Sequence, residues 1–296
     1  MELLKKRKNL IFYNPLLVWP ALILFAVFFL APSLAGFYYA FTDWSPYNRP
    51  LNFVGLNNFA RIFREPISVK ALQNTLIYAV TTTVFKNVIG LLLALALNMR
   101  LKTRNITRAI YFMPAILCSI IVGLLFNSIL HPTKGLLNNL LNDAGLGFLK
   151  QNWLTDTKIV MYTISAVEIW QWSGFHMAIY LAGLQGVPTD LKESMLIDGA
   201  NGWQRFRYLT FPFILPSFNI NLITSLIGGF KVFDMVFLLT NGGPGFASQV
   251  VGVLIYKAFG DGFWGLGTAY SILQFAVIMI VSATILSYLR TKEIEA

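Results

Sequence analysis

The chain has 296 residues and a formal net charge of +10. It is 56% hydrophobic and only 12% charged, against about 25% charged in ordinary globular domains, and its apolar residues come in blocks too long for core helices. An ordinary soluble domain is excluded, and so is a nucleic-acid binder, because the basic residues follow a membrane topology instead of forming a patch.

Lys5-Lys6-Arg7-Lys8 precede the first apolar block, Pro15–Phe41, which holds no Asp, Glu, Lys or Arg. A basic start before an apolar run also resembles a signal peptide. This run far exceeds an h-region of about 7–15 residues, so an uncleaved first span is the reading. Residues 43–70 form an outer loop rich in Asn, Pro and aromatics. The second block, Ala71–Met99, carries one charge, Lys86, either buried against partner groups or snorkelling. A short link crowded with Arg100, Lys102, Arg104 and Arg108 leads to the third block, Ala109–Leu130, which is uncharged and contains the single cysteine, Cys118. No disulfide can form within the chain. Residues 132–157 make a second outer loop, with Asn138, Asn139, Asn142 and several glycines as turn formers.

The fourth block, Ile159–Val187, contains Glu168 and His176. His131 lies in a different segment, so no metal site is expected. The fifth block, Phe211–Thr240, carries Lys231 and Asp234, whose i, i+3 spacing allows them to neutralise each other. Asn241-Gly242-Gly243-Pro244-Gly245 opens a third outer loop, 241–261, and must break a helix. The sixth block, Gly262–Leu289, is uncharged and is followed by Arg290 and Lys292.

Each block reaches the roughly 20 residues that cross about 30 Å of hydrocarbon. The expected fold is an all-α membrane protein: one domain, residues 1–296, with six transmembrane helices and no internal repeat. Lys and Arg concentrate before span 1, between spans 2 and 3, between spans 4 and 5 and after span 6. The positive-inside rule then places both termini and the segment at about 187–212 in the cytoplasm.

That segment is more detailed than a reconnecting loop requires. Pro188-Thr189-Asp190 reads as a helix start, with Thr189 as cap and Asp190 in the first turn. Leu191 and Met195 share a face at i, i+4. Gly199 suits the left-handed residue that ends the helix. Asn201 can cap a second short helix with Trp203 and Phe206 on one face, limited by Pro212. Glu193 and Asp198 flank the turn, available to loop amides or to a partner's basic residue. Ala200 and Gly202 allow close approach of another backbone. Two readings are open on physical grounds: a docking element for a partner, or an amphipathic hairpin on the headgroups.

Within the membrane, ionisable groups are costly and rarely face lipid. Glu168, Gln171, Trp172 and Phe175 fall on one helical stripe at i, i+3, i+4, i+7. Carboxylate, amide and aromatic faces together suit a sugar, whose hydroxyls pair with polar groups and whose C–H face stacks on a ring. The same groups also serve as interhelical glue. His176 reads as packed or hydrogen-bonded.

The ordered set Glu193-x-x-x-x-Asp198-Gly199-Ala200-x-Gly202, then Phe206, Pro212 and Pro216, resembles the "EAA loop" of binding-protein-dependent ABC importer permeases. Ser194 and Met195 stand where the family has its two alanines. Phe53-Val54-Gly55-Leu56-Asn57-Asn58-Phe59, Asn74-Thr75-Leu76, and Lys231-Val232-Phe233-Asp234 followed by Thr240-Asn241-Gly242-Gly243-Pro244 resemble the carbohydrate-uptake branch, the maltose and glycerol-phosphate type. The resemblance covers roughly residues 10–290.

The resemblance implies a permease subunit in a bacterial or archaeal plasma membrane, coupled to an ATPase through Glu193, Asp198, Gly199, Ala200, Gly202 and Phe206. Implied partners are a second homologous permease, two ATP-binding subunits and an extracellular or periplasmic sugar-binding protein. The chain has no Gly-x-x-x-x-Gly-Lys-[Ser/Thr], the phosphate cradle of an ATPase, so no catalytic residue or cofactor is assigned to it; ATP and Mg belong to the partner. Carried over to the substrate path, the resemblance picks Glu168, Gln171, Trp172 and Phe175 on span 4, Ser119 on span 3, and Ser225, Gly229 and Val232 on span 5. Gly229 and Val232 bring no polar side chain, so only part of the family's pocket is present. The competing class is an ion-driven secondary transporter with Glu168 as its coupling site. An intramembrane enzyme would need a convergent nucleophile and base, which the sequence does not offer.

Overall fold

The computed structural model describes residues 18–47, 50–99 and 102–290. Lys5–Lys8, Arg100, Lys292 and both termini lie outside these residues. The chain forms twelve α-helices over the described residues: α1 Trp19–Tyr39, α2 Asn57–Arg64, α3 Pro66–Leu97, α4 Arg104–Ile116, α5 Ser119–Ile129, α6 Leu136–Asp143, α7 Val160–Gln185, α8 Thr189–Ile197, α9 Gly202–Phe230, α10 Asp234–Thr240, α11 Val251–Gly260 and α12 Trp264–Arg290. No strand occurs among the described residues, only an isolated bridge between Thr42 and Phe53.

α1, α3, α9 and α12 are each long and apolar enough to cross a membrane. α7 has 26 residues, about 39 Å of rise, with polar side chains along its middle. α3 and α7 make the largest helix–helix contact, and α9 packs on both. Tyr78 clusters with Val160, Ile164 and Val167 near the start of α7, while Ala94 and Leu97 cluster with Leu181, Leu184 and Ile214 near its end. The two helices therefore run in the same direction. α1 lies outside, packed chiefly against α12, with none of its residues buried.

A buried polar network ties the three central helices. Asn87 on α3 donates to Ser225 Oγ on α9 (2.9 Å) and accepts from the Tyr180 hydroxyl on α7 (2.7 Å). His176 and Asn221 are joined by a ring-to-amide contact of 2.7 Å and an Asn221 Nδ2 donation to the His176 carbonyl at 3.1 Å. Such bonds hold helices together where lipid supplies no hydrophobic drive, and they account for His176 as packed and hydrogen-bonded.

Two expected spans are broken. Ala109–Leu130 is not one helix: α4 and α5 meet at 96° across Leu117 and Cys118, both extended. Pro114, inside α4, removes an N–H just before the break. Phe211–Thr240 is likewise interrupted at Lys231–Phe233, after Gly228 and Gly229. Each break is supported by a glutamine from a neighbouring helix. Gln171 Nε2 donates to the Leu117 carbonyl (3.1 Å) and Gln274 Nε2 to the Phe230 carbonyl (2.6 Å). A backbone carbonyl freed at membrane depth needs such a partner.

The loops opposite the 187–212 segment are structured. α2, α6 and α11 fall within the expected outer loops. Asn241, at φ 50°, ends α10 in the left-handed region, as the Asn-Gly-Gly-Pro run requires. Asn74 donates to the carbonyls of Ala247 and Gln249 (both 2.9 Å), pinning the third loop to α3. In the first loop Asp43 accepts the backbone and side-chain N–H of Asn52 (2.7 and 2.9 Å), which holds its carboxyl below the ordinary range.

Candidate functional site: a polar cavity and an exposed helix–turn–helix

A cavity of about 310 Å3 opens where span 5 breaks. α7 contributes Glu168, Trp172, Phe175 and His176; α3 contributes Lys86; Ser119 stands at the start of α5. The end of α9, the break and the start of α10 supply Thr224, Ser225, Gly228, Lys231, Val232, Phe233, Asp234 and Met235. Six of the eight expected path residues meet here: Ser119, Glu168, Trp172, Phe175, Ser225 and Val232.

Gln171 and Gly229 do not line the cavity. Gln171 is fully buried and spends its amide on the break in span 3. A Cβ at Gly229 would sit 2.7 Å from Ala79 Cα, so this glycine permits α9 to approach α3. The stripe at i, i+3, i+4, i+7 is real, but it is wide enough that its edge turns into the helix interface.

The cavity's charges were not legible from spacing. Lys86 Nζ lies 3.3 Å from Glu168 Oε1, with their side chains only 4% and 16% exposed. Lys231 and Asp234 form no ion pair among the described residues; both are exposed. The i, i+3 argument assumed a continuous helix, and the chain leaves helical geometry at Phe233 (φ −143°, ψ −62°). Trp172 and Phe175 meet edge to face, centroids 5.9 Å apart. The Trp172 indole N–H has no hydrogen-bond partner among the described residues, which leaves it for a solute. A larger groove, about 1020 Å3, runs along the far flank of α7 between α3 and α4. Phe85, Ile89, Leu93, Ile110 and Ile169 line it, so it offers little to a hydroxyl-rich solute.

The second feature is the segment after α7. Thr189 is the first helical residue and Pro188 the cap position, with no side-chain cap bond; the expected Thr189 cap is not formed. α8 ends in a Schellman turn: Ala200 N–H reaches the Met195 carbonyl (2.9 Å), Gly199 N–H the Leu196 carbonyl (3.1 Å), and Gly199 has φ 75°. Asn201 then caps α9 in a reciprocal box with Gln204, bonded at 2.8 and 2.9 Å. Gln204, three residues after Asn201, is the readable half of that box that inspection of the sequence overlooked.

Trp203 stacks on Phe206 at 5.8 Å. Pro212 does not end this helix. A widened turn at Phe206–Thr210 absorbs the missing donor, and α9 continues through Pro212 into span 5. Met195 and Leu209 pack on the end of α7, anchoring the element. Its outer face shows Leu196, Ile197, Trp203 and Tyr208, with Ile197 87% exposed. Glu193 and Asp198 are exposed and bond to no loop amide or basic side chain among the described residues. Gly199 and Gly202 are exposed beside them; Ala200 and Phe206 are half-buried.

A bundle of membrane-length helices, interrupted around a polar cavity and carrying a rigid exposed element at one end, defines a multi-pass membrane permease. Residues 86–291 match the binding-protein-dependent transport system inner membrane component family, and the chain belongs to that family: it is a permease subunit of an ABC importer. It is 33% identical to the probable starch degradation products transport system permease protein AmyD of Thermoanaerobacterium thermosulfurigenes, over 97% of each chain. Its fold matches a solved bacterial ABC transporter involved in the import of the acidic polysaccharide alginate, with a TM-score of 0.82 at 26% identity, covering 98% of this chain and 99% of that one. A bacterial alginate ABC transporter in complex with an alginate pentasaccharide-bound periplasmic protein matches with a TM-score of 0.79 at 25% identity over 91% of each chain. The ion-driven alternative is not favoured by these relatives.

Proposed function

We propose that this chain forms half of the membrane path of an ATP-driven importer for a sugar or oligosaccharide. A second, homologous permease forms the other half, and an external solute-binding protein delivers the substrate to the loop face that carries α2, α6 and α11. Two separate ATP-binding subunits dock on α8, the Gly199 turn and the start of α9, on the cytoplasmic side of the plasma membrane. Hydrolysis takes place in those subunits, and their closure moves the permease halves about the cavity.

The observation that carries this reading is the cavity: an edge-to-face Trp172–Phe175 pair beside a carboxylate, hydroxyls and a free indole N–H. Rings stack on the C–H face of a sugar while the polar groups take its hydroxyls. The relatives named for starch products and alginate support the substrate class. The exposed apolar side chains at Leu196, Ile197 and Trp203, set on a doubly capped turn, support docking over a featureless headgroup hairpin.

The test is uptake by the assembled transporter in proteoliposomes, with its own binding protein, ATP inside and a panel of mono- and oligosaccharides outside. ATP-dependent accumulation of at least one sugar is expected. Accumulation by this chain alone, abolished by an uncoupler, would overturn the reading.

A further inference from the structure

The Lys86–Glu168 pair crosses from α3 to α7 in the wall of the cavity, and its two ends differ. Lys86 is almost completely covered, while Glu168 keeps some exposure to the cavity. Lys86 Nζ touches Oε1 only. The fully buried Tyr78 hydroxyl, also on α3, reaches the same carboxylate as a second donor. Of the two charged groups, Glu168 is thus the one that presents part of its side chain to the cavity.

A buried ion pair is weak as a stabilising device, because desolvation cancels much of its attraction. If glue were its only use, apolar side chains would serve there equally well. Its asymmetry suits another use. We propose that Lys86 is a positioning residue: it holds the Glu168 carboxylate at the cavity wall so that its exposed part accepts a hydroxyl of the transported solute.

The remaining charges around Glu168 sharpen the substrate class. Lys231 and Asp234 face the cavity from the break between α9 and α10, and His176 faces it from α7 with its ring on Asn221. With His176 neutral, Lys86 and Lys231 balance Glu168 and Asp234. A neutral, hydroxyl-bearing solute keeps that balance. This class and the hydroxyl contact rest on the sugar reading above; the hold of Lys86 on Glu168 does not.

The test uses the assembled transporter in lipid nanodiscs and proteoliposomes, and has two readouts. The first is the infrared band of a protonated carboxyl across pH, assigned by its loss in E168Q. Wild type and K86R are expected to show no Glu168 band near neutral pH. K86M is expected to show one, and K86M/E168Q to lack it. The second readout is uptake of maltotriose. Wild type is expected to be flat with pH, and K86M to show a raised KM and uptake that falls as pH drops and Glu168 takes up a proton. That pH step is expected to vanish in K86M/E168Q, which excludes His176, Lys231 and Asp234 as its source.

The charge-swapped K86E/E168K retains an ion pair but moves the carboxylate to α3. It is expected to assemble and to transport at least tenfold more slowly. This variant keeps the test decisive if K86M does not assemble, since full uptake by the swap means the pair is only glue. An unchanged infrared band in K86M overturns the positioning role. No maltotriose uptake by wild type, with the infrared result as expected, counts against the sugar class and its hydroxyl contact and leaves only the hold of Lys86 on Glu168 standing.

Discussion

Substituting Gly199 tests the turn proposed to couple this chain to its ATP-binding subunits. Its φ is 75°, and nothing lies within 4 Å of where a Cβ would point. No neighbour collides with an added side chain, so the cost is set by the backbone: about 1–2 kcal/mol for an L residue held in the left-handed region. That energy corresponds to roughly a 5- to 30-fold change in the population of the turn. The turn fixes the angle between α8 and α9, so Gly199→Ala is expected to weaken docking of the ATP-binding subunits by up to that factor. Asn tolerates the same backbone region, and Gly199→Asn is expected to recover most of the loss. Gly199→Arg adds a long cation on the exposed face and is expected to uncouple ATP hydrolysis from uptake, with the protein still in the membrane. Co-purification of the ATP-binding subunits, ATPase rate and uptake are measured on the same proteoliposomes. Normal transport by Gly199→Arg would refute the coupling assignment; equal losses for Ala and Asn would refute the backbone argument.

Glu168→Ala and Trp172→Ala are each expected to lower uptake or shift sugar preference without loss of assembly; unchanged kinetics for both would remove the cavity from the substrate path. Asn87→Leu deletes the bonds to Ser225 and from Tyr180, worth about 0.6 kcal/mol each on average between membrane helices. A lower melting temperature in detergent is expected, and an unaltered one would count against the network as a stabilising tie. Gln171→Leu strips the Leu117 carbonyl of its donor, at a cost of about 1–3 kcal/mol for an unsatisfied buried group. A comparable loss is expected for Gln274→Leu at the second break, and thermal stability unmoved by either change would mean that water or the chain itself satisfies those carbonyls.

The sequence by itself determined the class of this protein, its all-helical fold and, within the 187–212 segment, the Gly199 turn and the Asn201 cap. These are local properties. Block length reports membrane crossing, Gly199 reports a left-handed turn, and Asn201 reports a cap, because each depends on a few consecutive residues. The helical stripe on α7 likewise brought Glu168, Trp172 and Phe175 together in advance.

Only the tertiary structure decided what depends on neighbours in space. Gln171 sits on the stripe, yet the break in span 3 claims it, because a carbonyl freed in an apolar environment outweighs a place in a polar cavity. Lys231 and Asp234 have the spacing of a helical pair, and the interrupted backbone separates them. Pro212 reads as a stop, and a widened turn carries the helix past it. Lys86 reads from the sequence as buried against partners or snorkelling, and only α3 lying beside α7 decided for burial and named Glu168, 82 residues away in the chain. For Gln171 and Lys86 the physical reason is shared: inside a membrane a polar group must find a partner, and which partner is nearest is fixed by packing between helices, not by the order of residues along any one of them.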